Sequence, residues 1–259
     1  MTTLTSIQGW LAPHSIEWYE QLGRLEGKYV YPWDSSINEP NGESIFDIEA
    51  EKLSVNQKVL DVGCGEGRFT MHCASFAKEI VGVDAAETFI MEGHRQRKPN
   101  VSFIIANTKS GLPFANKEFD FAYIRKGPTS AYPLLKRAVK DGGHILGLHP
   151  GDSQGQELPG LFPLLFKEKT GTPILKGLEN RAEHSNFTNA TIEEVSSIEY
   201  LKSPQDVIRL ACFGQLPSIA AFVKEKYGSE ITTIFNQYAA SQRIGHYTFQ
   251  IYRPGSCLK

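Results

Sequence analysis

The residues best suited to chemistry lie in one short run, Asp61-Val62-Gly63-Cys64-Gly65-Glu66-Gly67-Arg68, and in Asp84, seventeen positions beyond the last of these glycines. The run follows the apolar Val59-Leu60 and leads into a helical pattern, so it reads as a strand, a tight turn and a helix N-terminus. Glycines at alternate positions let backbone N–H groups approach a ligand closely, and the helix N-terminus favours polar or anionic groups. A carboxylate about 20 residues further on, at the tip of the next strand, suits the hydroxyls of a ribose. Together these residues form a nucleoside-binding constellation. The spacing is G-x-G-x-G, whereas a nicotinamide dehydrogenase is expected to show G-x-G-x-x-G. The competing readings are a tight turn without ligand for the glycines and a helix N-cap for Asp84.

These residues need a frame to position them. From 58 to 150 strand and helix alternate, with strands expected at 58–62, 79–83, 101–105, 119–124 and 143–149 and helices near 66–76, 86–96 and 131–140. Alternating βα units imply a parallel sheet with right-handed crossovers. Upstream, helical spacing over 14–28 is followed by a turn-rich segment, Tyr29 to Gly42, and a helix over 43–53. After His149-Pro150-Gly151 the regularity stops, and 151–190 reads as polar and irregular with one apolar patch at Leu158–Phe166. A strand at 196–202, helices near 204–212 and 217–227 and an alternating strand over 246–252 complete the pattern. The division that follows is an N-terminal cap (1–55), a ligand-binding core (56–150), an insertion or lid (151–195) and a C-terminal completion of the sheet (196–259).

Composition narrows the function class. The 259 residues are 41% hydrophobic and 22% charged, ordinary values for a soluble globular chain. The net charge of −2 gives no basic signature for nucleic acid. The balance is uneven: residues 1–60 carry nine acids against four Lys/Arg, and residues 91–140 carry ten Lys/Arg against three acids. That basic run is either a solvated helix face or an electropositive rim. Cys64, Cys73, Cys212 and Cys257 form no C-x-x-C pair, so no metal site is expected, and free thiols fit a cytoplasmic protein. Neither a signal peptide nor a membrane-spanning apolar segment is visible.

The succession Val59–Gly67, Asp84, Leu112-Pro113-Phe114, Phe119-Asp120 and Leu135–Gly143 resembles the class I S-adenosylmethionine-dependent methyltransferases, with the glycine run as their motif I. The resemblance implies an α/β fold: a Rossmann-like, doubly wound sheet of seven mostly parallel strands, the last antiparallel. It also implies S-adenosylmethionine as methyl donor, with its methionine part against Gly63, Cys64, Gly65 and Gly67 and its ammonium near Asp61. Asp84 would take the ribose and the small Ala85 would leave room beside the rings. Asn107 stands where the family often has an aspartate that receives the adenine amino group, and the Thr108 N–H can donate to the ring.

Residues following the fourth strand face the transferred methyl group in this family, which brings Arg125 and Lys126 to that mouth, Arg125 as the candidate for contacting cofactor or substrate. Tyr29, Tyr31, Trp33 and Asp34 are candidate lid residues, or a packing cluster within the cap. His149 is a general-base candidate or a strand terminator; with Arg125 and Tyr31 it completes the catalytic candidates. Cys64, inside the turn, is a poor nucleophile. The chain has neither an Asn/Asp-Pro-Pro-Tyr/Phe clamp nor a Pro-Cys nucleophile of the pyrimidine-C5 type. A longer similarity, carried by Phe103 to Phe114, His149-Pro150-Gly151 with Glu157-Leu158, and Phe249 to Arg253, is to the methyltransferase part of ribosomal RNA guanine-N1 enzymes, without their zinc module. The expected activity is methyl transfer to a small molecule. Ribosomal or transfer RNA is the second acceptor, and a catalytically inactive S-adenosylmethionine-binding protein is the remaining alternative.

Overall fold

The computed structural model describes residues 4–168, 170–185, 187, 189–239 and 246–255. The chain enters through α1 (Ile16–Glu26), which starts where the Ser15 side chain accepts the Trp18 N–H and stops at Gly27 in the left-handed region. A short strand, β1 (Ser35–Ile37), precedes α2 (Gly42–Ser54), whose first turn is closed by a capping box between Asn41 and Ser44. The alternating part then runs β2 (Lys58–Val62), α3 (Arg68–Cys73), β3 (Glu79–Asp84), α4 (Glu87–Gln96), β4 (Val101–Ile105), β5 (Phe119–Arg125), α5 (Tyr132–Ala138) and β6 (Val139–Pro150). Beyond it come α6 (Leu158–Leu161), α7 (Pro173–His184), β7 (Asn189–Leu201), α8 (Pro204–Ala211), α9 (Pro217–Ala239) and β8 (His246–Gly255).

The strands form one sheet in the order β1-β7-β8-β6-β5-β2-β3-β4. β4, β3, β2, β5 and β6 are parallel, and β8 is antiparallel to both β6 and β7. This is the Rossmann-like arrangement with an antiparallel last strand, but eight strands stand where seven are expected. The eighth is β1, whose Ser35, Ser36 and Ile37 pair antiparallel with Leu201, Tyr200 and Glu199 at the outer edge of β7. Three residues carry too little periodicity to announce a strand. They are extended because the edge of β7 offers unpaired backbone groups.

Alternation along the central strands divides the core into two layers. Val59, Phe121, Tyr123, Leu146 and Leu148 pack with Phe46 and Ala50 of α2 and Cys73 of α3. Leu60, Val62, Ala122, Ile124 and Ile145 pack on the other face with Tyr132 and Leu135 of α5 and Leu178 of α7. Asp61 lies on the first face, among apolar neighbours.

Two departures from the sequence-based expectations bear on the site. The 151–190 stretch contains α7, twelve residues long, rather than being irregular throughout. Its N-terminus is capped from a distance: Ile174 and Leu175 donate their N–H groups to the two carboxylate oxygens of Asp152, at 2.8 and 3.0 Å. No local cap therefore marks the helix start. Second, α8, α9 and the loop between them join the N-terminal segment. Trp18 Nε1 donates to the Phe213 carbonyl, Gln21 Nε2 to that of Gly214, and Leu11 and Gln215 exchange two hydrogen bonds. The N-terminal segment is thus tied to the loop between α8 and α9.

Gly67 (φ 84°) closes the loop at the start of α3, and a Cβ there would overlap the Phe103 ring of β4. Gly67→Ala therefore combines left-handed strain with overpacking and is expected to cost about 2–4 kcal/mol in urea unfolding. A loss below about 0.5 kcal/mol would show that Phe103 does not constrain this loop.

Candidate active site

The turn after β2 is shaped by three glycines with different tasks. Gly63 and Cys64 both donate their N–H groups to the Val83 carbonyl, at 2.8 and 3.0 Å, folding the turn against β3. Gly63 (φ 79°) lies so close to the next crossing that a Cβ would stand 2.7 Å from Pro128 Cδ and 2.9 Å from Gly127 Cα. Gly65 (φ 55°) has nothing nearer its Cβ position than Tyr29 Cβ at 3.8 Å, an ordinary contact, and lines the cavity described next. Gly67 serves packing and does not line the cavity described next.

That cavity, of about 600 Å³, lies over the C-terminal ends of the parallel strands. Its size falls in the range that encloses a drug-sized ligand. Asp61, Gly63, Cys64, Gly65, Asp84, Ala85, Asn107, Thr108 and Arg125 all line it, as do Tyr31 and His149. Of the predicted cofactor set, Gly67 alone is absent from the lining.

Asp61 is 2% exposed. Thr70 Oγ1 and Tyr123 OH both donate to its Oδ2, at 2.6 and 2.9 Å, and Oδ1 takes no protein hydrogen bond among the described residues. Burial pushes its pKa up to about 7 against the help of Thr70 and Tyr123. Asp84 has backbone partners on both oxygens: Gly65 N–H on Oδ2 and Ala86 N–H on Oδ1, each at 2.9 Å. It thus fixes the glycine turn and the entry to α4 while facing the cavity. Its pKa is also raised, by burial. Asn107 Oδ1 accepts the Lys109 N–H at 2.9 Å, so this residue is at once a turn former and part of the cavity wall. Thr108 Oγ1 pairs with Ser130 Oγ at 2.7 Å.

Comparison with known proteins agrees with this geometry. Residues 59–143 match the model of a methyltransferase domain family. Over 105 residues (38% of this chain, 41% of the relative) the chain is 31% identical to a demethylmenaquinone methyltransferase of Paenarthrobacter aurescens. Over 92 residues (33% and 21%) it is 32% identical to a 23S ribosomal RNA uracil-C5 methyltransferase of Yersinia enterocolitica. Residues 59–143 form a class I S-adenosylmethionine-dependent methyltransferase core. The match spans less than half the length of either relative. Among solved structures, the [4+2]-cyclase SpnF shares the fold with a TM-score of 0.55 at 18% identity, covering 96% of this chain and all of that one.

Around this methyltransferase core the remaining candidates are held in specific pairings. Arg125 is neither solvated nor free: its Nε and Nη2 donate to Asp47 at 2.8 and 3.0 Å and its Nη2 to Glu43 at 2.8 Å, with the guanidinium 4.8 Å from the Phe69 ring centre. Burial opposes its charge, but Asp47 and Glu43 outweigh this and raise its pKa. Lys126, at φ 61°, donates to Glu43 at 2.6 Å and stands 4.9 Å from the Tyr31 ring centre. Tyr31 stacks on Trp33 at 4.5 Å and packs edge-on against Tyr29. The lid aromatics are therefore a packing cluster and a cavity wall together, although Trp33 and Asp34 do not line the cavity. Asp34 instead donates its N–H to Asp206 at 3.0 Å.

His149 is 2% exposed and hydrogen-bonded through Nε2 to Tyr132 OH at 2.7 Å. Burial, helped by Arg181, lowers its pKa to about 3. An imidazole so unwilling to hold a proton is a poor general base. Sequence reasoning missed Tyr19, Glu43, Phe69, Ser130 and Ile174 as lining residues. They come from five separate segments that only the fold brings together. Among the described residues no group of three or more His, Cys, Asp and Glu could hold a metal, and no helix is long and apolar enough to cross a membrane.

Asp61 makes the site pH-sensitive. An acid whose pKa is raised by folding costs nothing below its unfolded value near 4; its penalty grows as pH rises to about 7 and is constant above. Asp61→Asn should therefore stabilise the ligand-free protein by up to about 4 kcal/mol at pH 8 and by nothing at pH 3.5. Urea unfolding across that range tests the sign, and equal stability of the two proteins at pH 8 would refute it.

Proposed function

We propose that the protein transfers a methyl group from S-adenosylmethionine to a small-molecule acceptor. The residues present fit the donor on two structural grounds. Gly65 lines the cavity in a left-handed conformation, so a long side chain there would extend into the cavity, and Asp61 is a buried carboxylate with one oxygen unpartnered among the described residues. Asp61 would pair with the ammonium, Asp84 would meet the ribose hydroxyls, and Asn107 with Thr108 would flank the adenine edge. Bound there, S-adenosylmethionine supplies a methyl group already activated by its sulfonium. The chain's own residues then have to align the acceptor and exclude water, tasks that suit the Tyr19, Tyr29 and Tyr31 wall.

The observation that favours a small acceptor is the pairing of Arg125 and Lys126 with Glu43 and Asp47. Cations neutralised by the cap offer little to a phosphate backbone. RNA is the second reading, supported by the ribosomal RNA relative, yet that relative is a uracil-C5 enzyme and this chain has no Pro-Cys nucleophile.

Titration calorimetry with S-adenosylhomocysteine tests the donor site. Asp84→Ala and Gly65→Arg should each weaken binding at least tenfold, with Asp84→Ala losing about 1.5–3 kcal/mol. Unchanged affinity in both variants would overturn the assignment.

A further inference from the structure

We propose that Glu66 is a positioning residue that latches the segment 28–33 onto the glycine turn and so sets how fast the methyl donor leaves the cavity. The inference rests on the donor reading of the cavity and adds a gate to it. Tyr29 and Tyr31 of this segment line the cavity. Both ends of the segment are anchored. At one end Gly27 closes α1 in the left-handed region. At the other, Trp33 Nε1 donates to the buried Glu199 at 2.8 Å, the Asp34 N–H donates to Asp206, and β1 pairs with β7.

Between these anchors the backbone has little support. From residue 28 to 33, among the described residues, a single hydrogen bond reaches the main chain: the Tyr29 N–H donates to Glu66 Oε2 at 2.9 Å. A stretch with so few backbone bonds belongs to the low end of local stability. Glu66 itself lines the cavity, and it stands between Gly65 and Gly67 in the turn. The Tyr29 Cβ lies 3.8 Å from where a Cβ of Gly65 would be, so segment and turn meet beside this bond. A donor lying on the backbone of Gly63 and Gly65 is therefore within one residue of the latch.

The other contacts of the segment are mostly between rings. Tyr29 packs edge-on against Trp18, Tyr31 and Phe213, and Tyr31 stacks on Trp33. Apolar contact is non-directional, whereas a hydrogen bond weakens steeply with distance and angle. Lys126 Nζ reaches the Tyr31 hydroxyl at 3.4 Å, a long contact beside the 2.9 Å bond to Glu66. Glu66 thus fixes the register of the segment on the glycine turn. Without its carboxylate the Tyr29 N–H loses its acceptor, and the segment can lift between its two anchors to open a route out of the cavity. The bond needs an acceptor oxygen and not a charge, which separates Glu66→Gln from Glu66→Ala.

The test uses the intact chain and two readouts, amide hydrogen exchange by NMR and the dissociation rate of S-adenosylhomocysteine by stopped-flow displacement. In the parent the Tyr29 amide should be protected, and more strongly so once S-adenosylhomocysteine is bound. Glu66→Ala should lose at least tenfold of that protection and release S-adenosylhomocysteine at least tenfold faster, while the amides of β2 and β5 keep theirs. Glu66→Gln retains an acceptor oxygen and should stay within threefold of the parent in both readouts. If Glu66→Ala melts lower than the parent, Glu66→Gln and the exchange of Tyr29 in the parent decide. An unprotected Tyr29 amide in the parent, release from Glu66→Ala within twofold of the parent, or release from Glu66→Gln as fast as from Glu66→Ala would each overturn the proposal. Failure of the parent to bind S-adenosylhomocysteine would strike the donor reading instead, and Tyr29 exchange in the free parent and in Glu66→Ala would then judge the latch alone.

Discussion

Four opposite charges at the end of β5 hold the architecture of this site together. Arg125 and Lys126 leave the central sheet, and Glu43 and Asp47 meet them from the first turns of α2. Removing such charges from water costs several kcal/mol per ion, and the cost is recovered only with good geometry. Here Arg125 spans both carboxylates and also lies over Phe69. The result fixes the cap over the strand ends and sets the Tyr31 ring against Lys126. With both cations committed to α2, the positive charge left for a ligand comes from elsewhere in the wall.

The glycine turn and the strand-end carboxylate were legible in the sequence because they are local. Asp61, Gly63, Gly65 and the strand-end Asp84 lie within 24 residues, and their constraints act on backbone conformation, which residue type reveals directly. Gly67 shows the limit of that legibility. Its spacing marks it as a ligand contact, whereas its bare Cα serves the Phe103 ring. The rest of the cavity wall could not be read in the same way. Glu43, Ser130 and Ile174 are ordinary residues in ordinary contexts, brought to one cavity by sheet order and helix packing.

The same distinction explains the misread elements. β1 exists because β7 presents an edge, and α7 begins where Asp152 reaches it from twenty-odd residues away. Local rules of propensity and capping cannot see such partners. Elements stabilised by their own sequence, such as α1 between Ser15 and Gly27 or the buried β2, were anticipated closely.

The tyrosine wall would have a chemical consequence if the proposed alkylating donor occupies the cavity. Burial raises the pKa of Tyr19, Tyr29 and Tyr31, and it pushes the Cys64 thiol well above its ordinary value. Phenolate and thiolate, the forms that would attack an electrophilic carbon, are therefore suppressed at neutral pH. Under the proposed function, the reagent would therefore meet a lining whose phenols and thiol hold their protons more firmly than free side chains do.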